Sequence, residues 1–207
     1  MFLYKTVKQQ AEAEQIIEKS RFISYIKPVM SKEEADRFIA QIRAMNHAAT
    51  HNVPAFVIGD KMQLQWASDD GEPQGTAGAP IVQMLVKEGI TNVAVVVTRY
   101  FGGIKLGTGG LVRAYTSSAK LALLAAGIAE VREMTMLEVQ IEYSHLAKIQ
   151  KAAGGLFRIE EISYRETVIL CVSAEPEVIG KVKAMLADLT GGTASIISEK
   201  LVPAKSM

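Results

Sequence analysis

Residues 93–127 read VAVVVTRYFGGIKLGTGGLVRAYTSSAKLALLAAG, and three kinds of chain follow one another in them. Val93 to Thr98 is a continuous β-branched run, the pattern of a strand buried on both faces. RYFGGIKLGTGG is then a loop, and Leu111 to Ala126 keeps a helical period until Gly127 supplies a C-cap. This strand, loop and helix fix the middle of the fold.

Working outward, Glu12 to Ile17 and Arg21 to Val29 read as paired strands. Ser31-Lys-Glu-Glu34 is a capping box, and Ala35, Phe38, Ile39, Ile42 and Met45 keep one apolar face on the helix it opens. Ala55 to Ile58 and Met62 to Ala67 form a predicted hairpin across Gly59-Asp60, with Trp66 expected in the core. SDDGEPQGTAGAP is loop, and a helix follows over Ala79 to Glu88. Beyond Ile128 to Met136, read as the connection between two domains, the order is β-α-β-β-α-β, the ferredoxin-like pattern. Its strands are Leu137 to Tyr143, Phe157 to Tyr164, Thr167 to Ala174 and Thr193 to Lys200, with helices Ser144 to Ala153 and Glu177 to Leu189. A bulge at Glu160 and Glu161 would restore one apolar face to the second strand. The expected class is therefore α+β, with domains at 1–133 and 134–207.

Composition narrows the function. The net charge of +1 excludes a broad basic face, and Lys plus Arg exceed Asp plus Glu by only two up to Glu133. Any nucleic-acid contact must be local. No run of about 18 apolar residues spans a bilayer, and the start, MFLYKTVKQQAEAEQ, lacks a secretory signal's apolar stretch, so a cytoplasmic protein with no membrane partner is expected. Cys171 in VILCVS reads as a buried structural thiol.

Nine of the 16 glycines fall among the 48 residues from Ser68 to Tyr115, where even spacing would put about four. Tight turns alone would use glycine so; close approach to the backbone would too. Gly107-Thr108-Gly109-Gly110 directly precedes a helix, so the first turn's free amides and the helix dipole would attract an anion. Arg99, Lys105 and Arg113 lie in or beside the same loop. Three such cations on single-stranded phosphates would give a salt slope of about −2, at roughly −0.7 per contact. The spacing matches neither usual nucleotide-loop motif. Asp69, Asp70 and Glu72 have two readings, as divalent-metal or acid–base carboxylates, or as acceptors for loop amides. His47 and His51 stand four apart without an evident third ligand, so no metal site and no cofactor is expected.

SDDGEPQGTAGAP (68–80) together with VVVTRYFGGIKLGTGGLVRAY (95–115) closely resembles the signature of the IMPACT proteins, whose bacterial members are YigZ-like. Lys19-Ser20-Arg21-Phe22 and Ala49-Thr50-His51-Asn52 extend the likeness, so Arg21, His51, Asn52 and Tyr100 count as motif residues. Val53-Pro54 departs from the cysteine and aromatic that often follow. The resemblance implies an N-terminal domain of the ribosomal-protein and elongation-factor domain IV type, then a ferredoxin-like domain. Eukaryotic members are associated with restraining a translation-initiation kinase through its ribosome-bound activator.

The expected function is thus a non-enzymatic, translation-related regulator that binds RNA, the ribosome or a translation-associated protein through the Gly-rich face. The alternative is an enzyme acting on a small phosphorylated or nucleotide ligand, with Mg²⁺ on the acidic loop.

Overall fold

A computed structural model describes residues 2–205, and its contacts divide the chain between Glu130 and Val131. Among the described residues, two antiparallel sheets and five α-helices make it an α+β protein.

The first unit, Tyr4–Glu130, is built on a sheet of β2 (Ala11–Ile17), β3 (Ser20–Pro28), β6 (Val93–Tyr100), β4 (His51–Ile58) and β5 (Leu64–Ala67), in that order. β6 is central, and its side chains alternate between two cores. Val93, Val95 and Val97 pack with α2 (Gly78–Lys87) and α3 (Gly107–Ala126), whereas Ala94 and Val96 face α1 (Lys32–Met45). Helices on both faces explain why this strand has no polar positions until its end. Each fully buried valine contributes about 1.5–3 kcal/mol. Ser31 caps α1 by accepting from the Glu34 amide, as the capping box requires, and Glu34 reaches back to the Met30 amide.

Trp66 departs from expectation: it is 43% exposed and stacks on Phe56 with ring centroids 5.3 Å apart. It sits on β5, an edge strand, so one face of the indole covers the core and the other meets solvent. Helix α3 also begins earlier than the sequence pattern, taking Gly107 to Gly110 into its first turn.

The second unit runs from Val131, with the first residues of the chain grouped in it. β7 (Ile128–Ile141) is followed by α4 (Tyr143–Ala152), β8 (Arg158–Tyr164), β9 (Val168–Ala174), a 3-10 turn, α5 (Ile179–Leu189) and β10 (Ser195–Lys205). β9 and β10 flank β7, and β8 lies outside β9. Leu137, Val139, Leu170 and Val172 pack with Ile149 of α4 and Leu186 of α5. The register shifts between Ile159 and Glu161, where the sequence calls for a bulge.

Two expectations are corrected in this unit. Ile128 to Met136 is strand, part of β7, because Ala129, Val131 and Thr135 alternate inward and the backbone pairs with β10. Cys171 is only partly buried, since in β9 the alternating Leu170 and Val172 take the inward positions. β1 (Phe2–Val7), beside β7, has no counterpart in the sequence pattern.

Candidate functional site

β6 ends at the site. Its register sets Arg99 opposite Phe22 of β3 on one side and His51 of β4 on the other, so these three side chains share one face. From the loop before α2, Glu72 comes in beneath them. Glu72 Oε1 accepts from Arg99 Nη1 at 2.7 Å and from the Tyr115 hydroxyl of α3 at 2.7 Å, and His51 Nε2 lies 3.8 Å away. Both members of the ion pair are buried, with 5% and 4% of their side-chain surface exposed. Burial, and then the neighbouring Glu72 carboxylate, push the Tyr115 hydroxyl up, so it remains a donor.

The guanidinium of Arg99 is otherwise held by Ser20 Oγ at 3.2 Å and by two rings, Phe22 at 5.5 Å and Phe101 at 5.3 Å. Its Nε–H is buried without an acceptor. A neighbouring glycine keeps this packing possible: a Cβ on Gly102 would stand 2.0 Å from the Lys19 carbonyl carbon. Ser20 also accepts from the Gly102 amide, tying the loop to β3.

Asp70 lies in the left-handed region at φ +49° and spreads its groups widely. Its carboxylate binds Arg43 and the Asn52 amide, each at 2.7 Å, while its carbonyl meets His51 Nδ1 at 2.8 Å. A carbonyl only accepts, so Nδ1 carries a proton and the other ring nitrogen, Nε2, faces Glu72. Asp69 accepts from the amides of Gly75, Ala77 and Gly78 at 2.7–3.1 Å, and so caps α2 from a distance. Burial raises the Asp69 carboxyl, but the three amides outweigh it and hold the group below the ordinary value. Each of the three carboxylates thus has its own partners, and among the described residues no cluster of His, Cys, Asp or Glu is arranged to hold a metal ion.

Above the buried pair is a cleft of about 470 Å³, lined by Thr50, His51, Glu72, Pro73, Arg99, Phe101, Lys105, Leu106, Gly107, Thr108 and Leu111. Gly107 opens α3 at φ +70°, a conformation that favours glycine, and Leu106 at the cap position gives no side-chain hydrogen bond. The first-turn amides of a 20-residue helix therefore start at this cleft.

The structure brings only some of the sequence-predicted residues together. His51, Glu72, Arg99, Lys105, Gly107 and Thr108 line one cleft. Arg113 lies on a neighbouring groove with Gly110, to which Lys105 also contributes, and Gly109 is exposed on the first turn of α3. Asn52 is a buried framework group, bonded to Thr98 and Asn46, and Tyr100 also reaches Asn46. Arg21 is an exposed partner of Glu14 and lies over the Tyr100 ring. Of the three basic side chains expected at an anion, Arg99 is paired with Glu72 in the fold. Sequence reasoning missed Tyr115, Ser20 and Phe101. Tyr115 had a signal, since a hydroxyl on the buried face of Leu111, Ala114 and Ser118 needs a partner; Ser20 and Phe101 had none beyond their motif.

Residues 18–123 match the model of the Impact N-terminal domain, and residues 139–193 match a domain of unknown function, DUF1949. The chain belongs to the IMPACT family. It is 41% identical to the IMPACT family member YvyE of Bacillus subtilis over 194 residues, 93% of this chain and 89% of that protein. The IMPACT family member YigZ of Escherichia coli is 36% identical, over 88% of this chain and 91% of its own. Protein IMPACT of Mus musculus is 35% identical over 94 residues, 43% of this chain and 29% of that one. A crystal structure described as that of an hypothetical protein, 33% identical, superposes with a TM-score of 0.61 over 96% of this chain and 98% of its own. No helix among the described residues is long and apolar enough to cross a membrane.

Proposed function

We propose that this chain is a translation-related regulatory protein of the cytoplasm, not an enzyme, and that it binds RNA through the Gly-rich face. The observation that carries this reading is the uncapped start of α3, opening on a cleft with Lys105 at its rim. First-turn amides, the positive end of a helix and an ammonium together form a receptor for a phosphate oxygen. Phe101, 46% exposed beside them, offers a ring on which a base can stack. Membership of the IMPACT family supports the translational setting, with the ribosome or a translation-associated protein as the surroundings in which that RNA is met.

The same reading takes the first unit as a domain of the ribosomal-protein and elongation-factor domain IV type, and the second as ferredoxin-like. The strand order β10-β7-β9-β8 supports the latter.

Thr108→Glu tests the proposal. A carboxylate in the first turn suits the helix dipole, so thermal unfolding should stay level or rise slightly, by about 0.3–1 kcal/mol. The same charge stands where phosphate would bind, so fluorescence anisotropy with single-stranded RNA should show affinity reduced by at least about tenfold. Unchanged RNA affinity in the folded variant would remove the cleft from the proposal.

A further inference from the structure

We infer that the cleft at the start of α3 is a receptor for a terminal phosphate monoester of a nucleotide chain, with the adjoining base on Phe101. This rests on the RNA-binding reading above and narrows it from internal phosphodiesters to a phosphorylated end.

The decisive group is Arg99. Its residue is 4% exposed, it lines the cleft, and its Nε–H has no acceptor although Nη1 and Nη2 are both bonded. A buried donor left unpaired is costly, and a ligand oxygen is the group that would satisfy it. It is independent of the helix start, which brings its own amides from one end of the same cleft, with the Thr108 hydroxyl and the Lys105 ammonium beside them. Donors stand on three sides of the cleft, and a phosphodiester has two free oxygens and one charge to offer them. They match a monoester, which has three terminal oxygens and up to two charges. The one carboxylate at the cleft, Glu72, is matched in charge by Arg99, so Lys105 and the helix end leave the cleft net positive.

Size and lining point to a nucleotide as the rest of the ligand. About 470 Å³ lies in the range of roughly 300–1,000 Å³ for small-ligand pockets and holds one nucleotide, not a duplex. Leu106, Leu111 and Phe101 give the apolar wall, and Phe101, whose ring lies on the Arg99 guanidinium, is the half-exposed aromatic at the mouth. A phosphopeptide would use the anion donors but would have no need of a flat ring there.

Isothermal titration of the full chain with one short single-stranded oligoribonucleotide tests this, using versions phosphorylated at the 5′ end, at the 3′ end, or hydroxylated at both. One terminal phosphate should tighten binding by about tenfold or more, the worth of one or two charge-assisted hydrogen bonds. Phe101→Ala should weaken that version by about tenfold yet leave binding of inorganic phosphate unchanged. Equal affinity for all three versions would overturn the terminal-phosphate assignment while RNA binding stood. No binding by any version would overturn the RNA reading and this inference with it. A phosphoserine peptide binding more tightly than either phosphorylated oligoribonucleotide would overturn the nucleotide assignment.

Discussion

The two loops of the first unit are both rich in glycine and differ in charge and in what they leave unpaired. In 68–80 the acceptors are spent internally: Asp69 on three amides, Asp70 on Arg43 and Asn52, Glu72 on Arg99 and Tyr115. In 101–110 the donors are left over. Lys105 has no ion-pair partner among the described residues, Leu106 caps nothing, and Arg99 at the foot of the loop keeps a free Nε–H. Glycine serves opposite ends in the two, letting one loop fold back on Asp69 while its other carboxylates reach neighbouring elements, and the other present bare backbone to a cleft. The difference teaches that the acidic loop is built into the frame, while the basic loop is the one that the proposed ligand would meet.

Arg99→Ala should break that division most severely. It would strand Glu72 in the interior beside Tyr115, and breaking a buried pair by removing one partner costs about 3–5 kcal/mol. Against a typical total stability of roughly 5–15 kcal/mol, that leaves the first unit marginal. Urea denaturation at neutral pH measures it. A loss below about 1 kcal/mol would show that Glu72 is hydrated and that the two loops are not locked together.

Asp69→Ala should cost less, about 1–3 kcal/mol, because it releases the loop amides and the start of α2 without burying a charge. The loss should depend on pH. The folded carboxyl lies below its ordinary value, so its contribution is complete above the unfolded pKa near 3.9 and disappears as pH falls through the folded one. Wild type and variant should therefore converge in acid. A gap that persists undiminished well below pH 3 would mean that packing, not the ionised cap, carries the effect.

How much of this was legible depended on whether the signal was local. The β-branched run at Val93, the capping box at Ser31 and the misplaced period around Glu160 are patterns within a few residues, and each fixed an element or a bulge. The connection expected at Ile128 to Met136 is strand because its backbone pairs with β10; its inward positions, Ala129, Val131 and Thr135, include only one large apolar residue and make a weak alternation in the sequence. Glycine crowding singled out the face on which Arg99, Glu72 and His51 meet, and all three were among its candidates. Their roles were not legible, because Glu72 and Arg99 stand 27 residues apart and meet only through the register of β3, β6 and β4. A charge that reads as free in sequence was already spent in the fold.

That loss of one free cation sets the smallest expected effect. Lys105 and Arg113 are the exposed cations left on the basic loop and the first turns of α3, so a double Lys105→Ala/Arg113→Ala variant should alter stability by no more than about 0.5 kcal/mol. Its consequence should appear in the salt dependence of RNA binding. With Arg99 already neutralised, two contacts at roughly 0.7 each predict a wild-type log-log slope of about −1.4 from this face, and its loss in the variant. Titration by fluorescence anisotropy across a range of KCl concentrations reads the slope directly. A residual slope of about −0.7 in the variant would mean that RNA displaces Glu72 from Arg99, which would make the frame part of the receptor; no change on substitution would put the phosphates on another face.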